Sequence, residues 1–296
     1  DAIKELINED NFPIRCYGML DGSDYNLCDQ FFKAGFLESN QYTIRSVKAF
    51  IDGALGSRGA ALLEPYSDDT HNCGLILISH DEFKALAKRC NQYNYQLNTH
   101  AIGDKGNQIV IDAYSQYTKN CDTRWRLEHA QMVTSNDLER VVDNHIIPSM
   151  QPSHCTSDMG WLPERIGKHR LHRISRWKTF IDKGAKIAGG SDCPIEEGNP
   201  LFEFYAAITR QNHEGYPKEG FQGQEKVAPI EALKMLTSWG ANAEFKEKEK
   251  GKIIPGYKAD LTILSNDITQ ISPDKILKTE ILGTIVDGNF VYNKLI

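Results

Sequence analysis

No stretch of this sequence comes near the roughly 20 apolar residues that a membrane-spanning helix needs. No basic segment followed by an apolar one stands at its start either. Its seven cysteines are scattered, odd in number and never spaced Cys-x-x-Cys. A chain of 296 residues can bury a core without disulfides, so a disulfide framework is excluded and reduced thiols in the cytoplasm are expected. Charge of one sign is also missing. The 34 Lys and Arg stand against 40 Asp and Glu, a net −6, with no basic cluster to follow a phosphate backbone. Neither nucleic acid nor a membrane is therefore an expected partner. With 40% hydrophobic and 25% charged residues the chain is neither disordered nor membrane-like. The numbering opens at Asp1 without a Met, and the opening residues already read as a helix in mid-fold.

What is present is an alternation. β-rich runs at 14–20, 44–51, 95–100, 125–129, 146–150 and 185–188 are separated by helical patterns at 27–36, 82–90, 104–117, 137–142, 173–181 and 229–236. Asp104 can cap the third of these, and Ser135 or Asn136 the fourth. Strands alternating with helices predict βαβ units and a parallel sheet, either a barrel or a doubly wound fold. After Phe245 the texture changes. A Glu/Lys run at 246–252 predicts a solvated segment, followed by short strands at 253–256, 259–264, 281–286 and 290–292. Asp287-Gly288 is a hairpin signal between the last two. The expected division is 1–245 for the α/β part and 246–296 for a small β part.

The strand ends carry the chemistry. The third pattern finishes on His100, the fourth on His129, and the last runs through Gly190 and Ser191 to Asp192. In a parallel α/β fold all carboxyl strand ends open on one face, where ligands bind. Each histidine alone is readily a structural residue, but two imidazoles and a carboxylate on one rim suit a divalent metal such as zinc. Lys48 lies inside an apolar strand. It either faces solvent on an edge or is a reactive amine that takes up carbon dioxide, giving an anionic carbamate that can bridge metals. The glycine-rich segment 53–59 lacks the spacing of a phosphate cradle. It suits a loop where backbone approaches a substrate and Arg58 reaches a carboxylate or carbonyl. His154 follows another strand and either faces the same site or sits in a polar loop. Cys193, beside Asp192, has no local histidine partner and is expected as a small buried thiol rather than a nucleophile.

Five segments together resemble a known family: Val-Lys-Ala-Phe-Ile-Asp-Gly-Ala-Leu-Gly-Ser-Arg-Gly-Ala at 47–60, Thr-His-Ala-Ile-Gly-Asp at 99–104, Arg-Leu-Glu-His-Ala-Gln at 126–131, Gln-Pro-Ser-His at 151–154 and Gly-Ser-Asp-Cys-Pro at 190–194. In order and spacing they resemble the amidohydrolase superfamily, and within it amidohydrolase family 3, the metal-dependent hydrolases related to N-substituted formamide deformylase. Residues 251–264 are similar to the return of such chains into a β-sandwich. The resemblance implies a (β/α)8 TIM-barrel hydrolase, present here as strands three to eight, with part of a small β-sandwich at the C-terminus.

Position by position, the resemblance makes Lys48 the carboxylated fourth-strand ligand, His100 and His129 the fifth- and sixth-strand ligands, and Asp192 the eighth-strand carboxylate that binds metal and shuttles the proton. His154 and Arg58 would contact substrate. It implies a divalent metal, zinc by the donor types, one or two per intact site. The implied reaction is hydrolysis of an amide-like C–N bond in a small molecule. The family's first-strand His-x-His occurs nowhere in this sequence. The expectation is a C-terminal portion, inactive alone, that associates with itself or with a missing N-terminal half. The alternatives are a non-catalytic binding protein on the same fold and a non-metal α/β enzyme.

Overall fold

The computed structural model describes residues 2–9 and 11–295. Its main sheet contains β1 (Cys16–Asp21), β2 (Leu37–Glu38), β3 (Tyr42–Phe50), β4 (Gln96–Ala101), β5 (Arg126–His129), β6 (Ile147–Met150) and β7 (Ala188–Gly189). The hydrogen-bonded order is β1-β3-β4-β5-β6-β7, all parallel, with the short β2 antiparallel on β3. Each parallel strand is followed in space by the next in sequence. That progression, with no reversal of order and hence no switch point, is how a barrel winds; a doubly wound sheet reverses. All six parallel strands therefore end on one face.

The crossovers carry helices at Tyr25–Ala34, His80–Gln92, Asp104–Tyr114, Ser135–Asp143, Pro152–Asp158 and Trp177–Asp182. Their apolar stripes close over the sheet. Phe83, Leu86, Ala87 and Cys90 from one helix and Leu138 and Val141 from another pack in the same buried cluster as Val47, Leu97 and Leu127 of the strands. Local chemistry sets the ends. Ser79 and Glu82 form a reciprocal capping box at His80. Thr134, one residue earlier than expected, accepts from Asp137 N to cap the helix at Ser135.

Asp104 does not cap its helix; Gly103 holds that position. The Asp104 carboxylate instead accepts from Leu63 N and pairs with Arg173, which compensates a charge that is itself fully buried. The run at 185–188 forms a ladder only at Ala188–Gly189. The helix expected from 173 begins at Trp177, after a 3-10 turn at Lys168–Arg173 and a left-handed Ser175.

The C-terminal part is an antiparallel sheet of β8 (Leu261–Leu264), β9 (Ile281–Val286) and β10 (Asn289–Asn293). Asp287 and Gly288 join β9 to β10 with φ of 53° and 82°, the signature of a type I′ turn. The run at 253–256 forms no strand. Arg15, just before β1, ties the two parts together. Its guanidinium donates to both Asp260 oxygens at 2.6 and 3.0 Å and to Asp287 at 3.1 Å. Lys246 and Lys250, expected to be solvated, pair with Glu249 at 3.1 Å and Glu244 at 2.8 Å. Among the described residues no helix is long and apolar enough to cross a membrane.

Candidate functional site

Five of the six residues singled out by sequence gather above the carboxyl ends of the strands. The rings of His100 and His129 lie 4.5 Å apart between centroids, inclined at 70°. His154, in the helix that follows β6, stacks on His129 at 5.9 Å. Lys48 shares the inward row of its sheet with Asn98 and Arg126. Its Nζ lies 4.9 Å from the Phe50 ring, which in turn lies 5.4 Å from His100. The Asp192 carboxylate is close enough to act on Lys48, His100 and His154. Arg58 stands apart. Its guanidinium makes a two-pronged bond to Asp68 at 3.0 and 3.1 Å, and Arg165 clasps the same carboxylate. Cys193 is exposed, contrary to expectation.

Each clustered histidine of β4 and β5 has one nitrogen held from behind. His100 Nε2 faces Gly53 O at 3.4 Å and Asp52 Oδ1 at 3.6 Å, which leaves Nδ1 unengaged. His129 Nδ1 donates to Gln151 Oε1 at 2.9 Å, which leaves Nε2. Anchoring one ring nitrogen fixes the tautomer and aims the other, as at metal-ligating histidines. Backbone strain coincides with the site. His129 and Asp192 both adopt positive φ, at 74° and 55°. Non-glycine residues hold that conformation only where their surroundings enforce it.

Burial governs the charges. It drives the His100 and His129 imidazoles down to about 4, helped for His100 by His129 and for His129 by Lys48. Both rings are therefore neutral donors at ordinary pH. Burial also lowers the Lys48 amine, opposed by the carboxylates of Glu128 and Asp192. An amine shifted that way is more readily the free base that reacts as a nucleophile. Among the described residues no three His, Cys, Asp or Glu side chains come together as a metal-holding group. His100, His129 and Asp192 therefore do not by themselves form such a group.

Sequence reasoning passed over Asp52, Gln151 and Asn98. Asp52 is fully buried and accepts from Ala61 N, Ile102 N and Gly103 N at 2.9, 3.0 and 2.8 Å. Its only sequence signal is an acid closing an apolar strand before a glycine. Asn98 is fully buried with both amide atoms lacking a partner among the described residues. It is the register neighbour of Lys48, so unsatisfied polar capacity lies beside the amine.

The family model of the amidohydrolases, family 3, matches residues 1–292. The chain belongs to the amidohydrolase family. This amidohydrolase-family chain is 33% identical over 283 residues to YtcJ of Bacillus subtilis, named as an amidohydrolase, covering 96% of this chain and 53% of that protein. It is 28% identical over 271 residues to N-substituted formamide deformylase of Arthrobacter pascens, covering 87% and 48%. The crystal structure of an uncharacterized metal-dependent hydrolase from Pyrococcus horikoshii OT3 superposes with a TM-score of 0.82 at 28% identity, over 92% of this chain and 55% of that one. The chain spans about half the length of the curated relatives it matches. Likeness to that structure and the unreversed strand order identify the parallel sheet as part of a TIM barrel.

Proposed function

We propose that this amidohydrolase-family chain carries one metal position of a hydrolase acting on amide-like C–N bonds in small molecules. Lys48, His100 and His129 would hold the ion, with Lys48 carboxylated so that it offers oxygen rather than a cation. The donor set fits a divalent metal. Two neutral imidazoles each turn one free nitrogen to the site, and the amine beside them is depressed toward its reactive form. Imidazole nitrogen with carboxylate-like oxygen suits zinc. Such an ion, when bound, supplies a Lewis acid for the scissile carbonyl and an activated water at neutral pH.

The chain's own groups do the rest. Asp192 takes the proton of the attacking water and delivers it to the leaving nitrogen. His154 has a buried Nε2 without a hydrogen-bond partner among the described residues, 4.0 Å from Glu196, and can donate to the oxyanion that develops. Arg58 reaches a substrate only by releasing Asp68. The observation that carries the reading is the paired anchoring of His100 and His129, each with one nitrogen held and one free.

Without a His-x-His pair the chain holds the ligands of one of two metal positions and turns over substrate poorly alone. The same absence favours a second reading, a binding protein on this fold, in which zinc binds and no chemistry follows. Calorimetric titration with zinc tests the main reading. One ion per chain is expected, with binding lost in both His100→Asn and His129→Asn. Unchanged binding in either variant contradicts the ligand set. Turnover of simple N-acyl compounds by zinc-loaded protein separates hydrolase from binder.

A further inference from the structure

The ring of Phe50 belongs to two surroundings at once. One side lies by Lys48 Nζ and His100, and yet the residue is 51% exposed. The exposed side borders a groove of about 370 Å³ that Lys48 also lines, between the end of β1 and the helix His80–Gln92. One wall follows β1, where Gly22 N donates to Lys48 O at 2.8 Å. There a side chain could not fit, because an added Cβ would stand 2.6 Å from that oxygen. The other wall is held by Leu77 N donating to Ile51 O at 2.9 Å. Tyr25 and Leu77 line these walls and are 47% and 56% exposed, with Ile78 and Leu86 behind them. Large apolar side chains left open singly are ordinary, but three sharing one concave groove that Lys48 also lines are not.

The charges along the groove are uneven. Asp21 and Glu82 both line it, and its one basic lining residue, Lys48, is the one that the metal-hydrolase reading turns into an anionic carbamate. Asp21 accepts from Ser23 N and Oγ at 2.9 and 2.7 Å, which fixes its carboxylate at the end of β1. An apolar group entering past Phe50 loses water against aromatic and aliphatic carbon, whereas an anionic tail meets two carboxylates.

We propose that this groove is a specificity subsite that receives an apolar, non-anionic substituent of the substrate, aryl or branched alkyl, with the scissile bond held above Lys48 and the two histidines. The proposal rests on the metal-hydrolase reading for what happens at the inner end. The groove itself rests on its own walls.

The test uses the full chain and two probes, neutral 4-fluoroacetanilide and anionic 4-acetamidobenzoate, followed by ligand-observed NMR titration with no turnover required. The neutral probe should bind about tenfold more tightly than the anionic one, a difference of about 1.4 kcal/mol. Phe50→Ala and the exposed Leu77→Ala should each weaken the neutral probe about three- to tenfold. Asp21→Lys, at an exposed position, should remove or reverse the preference. Equal affinity for both probes, or affinity indifferent to Phe50→Ala and Leu77→Ala together, overturns the subsite. Zinc titration on the same samples separates the two readings. A chain that fails to bind zinc but holds the anilide through Phe50 and Leu77 keeps the groove and loses the metal site. One that binds zinc but shows no such anilide contact keeps the metal site and loses the groove.

Discussion

His100 Nε2 stands 3.6 Å from Oδ1 of Asp52, a carboxylate with no exposed surface and three backbone N–H groups bonded to it. The histidine is thus backed by a group that cannot itself turn. Asp52→Asn keeps the shape but weakens the acceptor, so the ring loses its fixed tautomer. Zinc affinity should fall about 10–100-fold. Calorimetry gives the affinity, and nitrogen NMR shifts of His100 should show mixed tautomers in the variant. An unaltered tautomer with unaltered affinity would leave Asp52 a purely structural acid.

Lys48 should separate stability from binding. Its amine is lowered by burial, with Glu128 already committed to Arg126 at 2.7 Å. Lys48→Met removes a poorly solvated cation and retains the packing volume. Thermal stability should hold or rise by up to about 1–2 kcal/mol. Zinc binding should weaken, and uptake of carbon-13 label from bicarbonate, read by NMR, should vanish. Loss of stability with metal binding intact would mean that Lys48 is structural.

Glu203 predicts a pH dependence of folding. It is buried, accepts from Ser153 N at 3.0 Å and from the Ser153 hydroxyl, and burial pushes its carboxyl up from 4.5 to about 7. The folded state then holds a proton that the unfolded chain has released. Its contribution is complete below about 4.5 and is lost as pH rises through about 7. Asp52, raised from 3.8 to about 7 chiefly by burial, has the same sign. Melting temperatures should therefore decline across that window, and Glu203→Gln should flatten the decline without abolishing it. A variant with the parent slope would remove Glu203 as a source.

Tyr114 serves the strands that carry the histidines. Its hydroxyl meets Thr99 Oγ1 at 2.7 Å, Leu97 O at 2.9 Å and Arg126 O at 3.3 Å, all in the interior. Tyr114→Phe leaves those groups short of a partner and should cost about 1–3 kcal/mol in urea denaturation.

Much of this was legible because the main signals are local. The six parallel strands lie within a few residues of their apolar runs, and strand-end histidines fall on one face by topology alone. Other features depended on distant partners. Nothing near Arg58 reveals that Asp68 holds it, and nothing near Asp104 points to Arg173. The helices at Pro152–Asp158 and Pro200–Thr209 were passed over although each opens with proline at its first position, a usable start signal. The run at 185–188 reads as a full strand, yet only Ala188 and Gly189 pair, with Ser149 and Met150 of β6.

The three amides that Asp52 holds come from separate stretches, Ala61 in the loop after β3 and Ile102 and Gly103 in the corner after β4. Gly103 lies so close to that loop that an added Cβ would stand 2.0 Å from Ala61 O. Loop and corner therefore open together or not at all. Protons at these three amides should trade with deuterium at one shared rate, slower than their places in irregular backbone would suggest. Whatever loosens the loop after β3 also loosens the footing of His100, so the two behave as one cooperative unit.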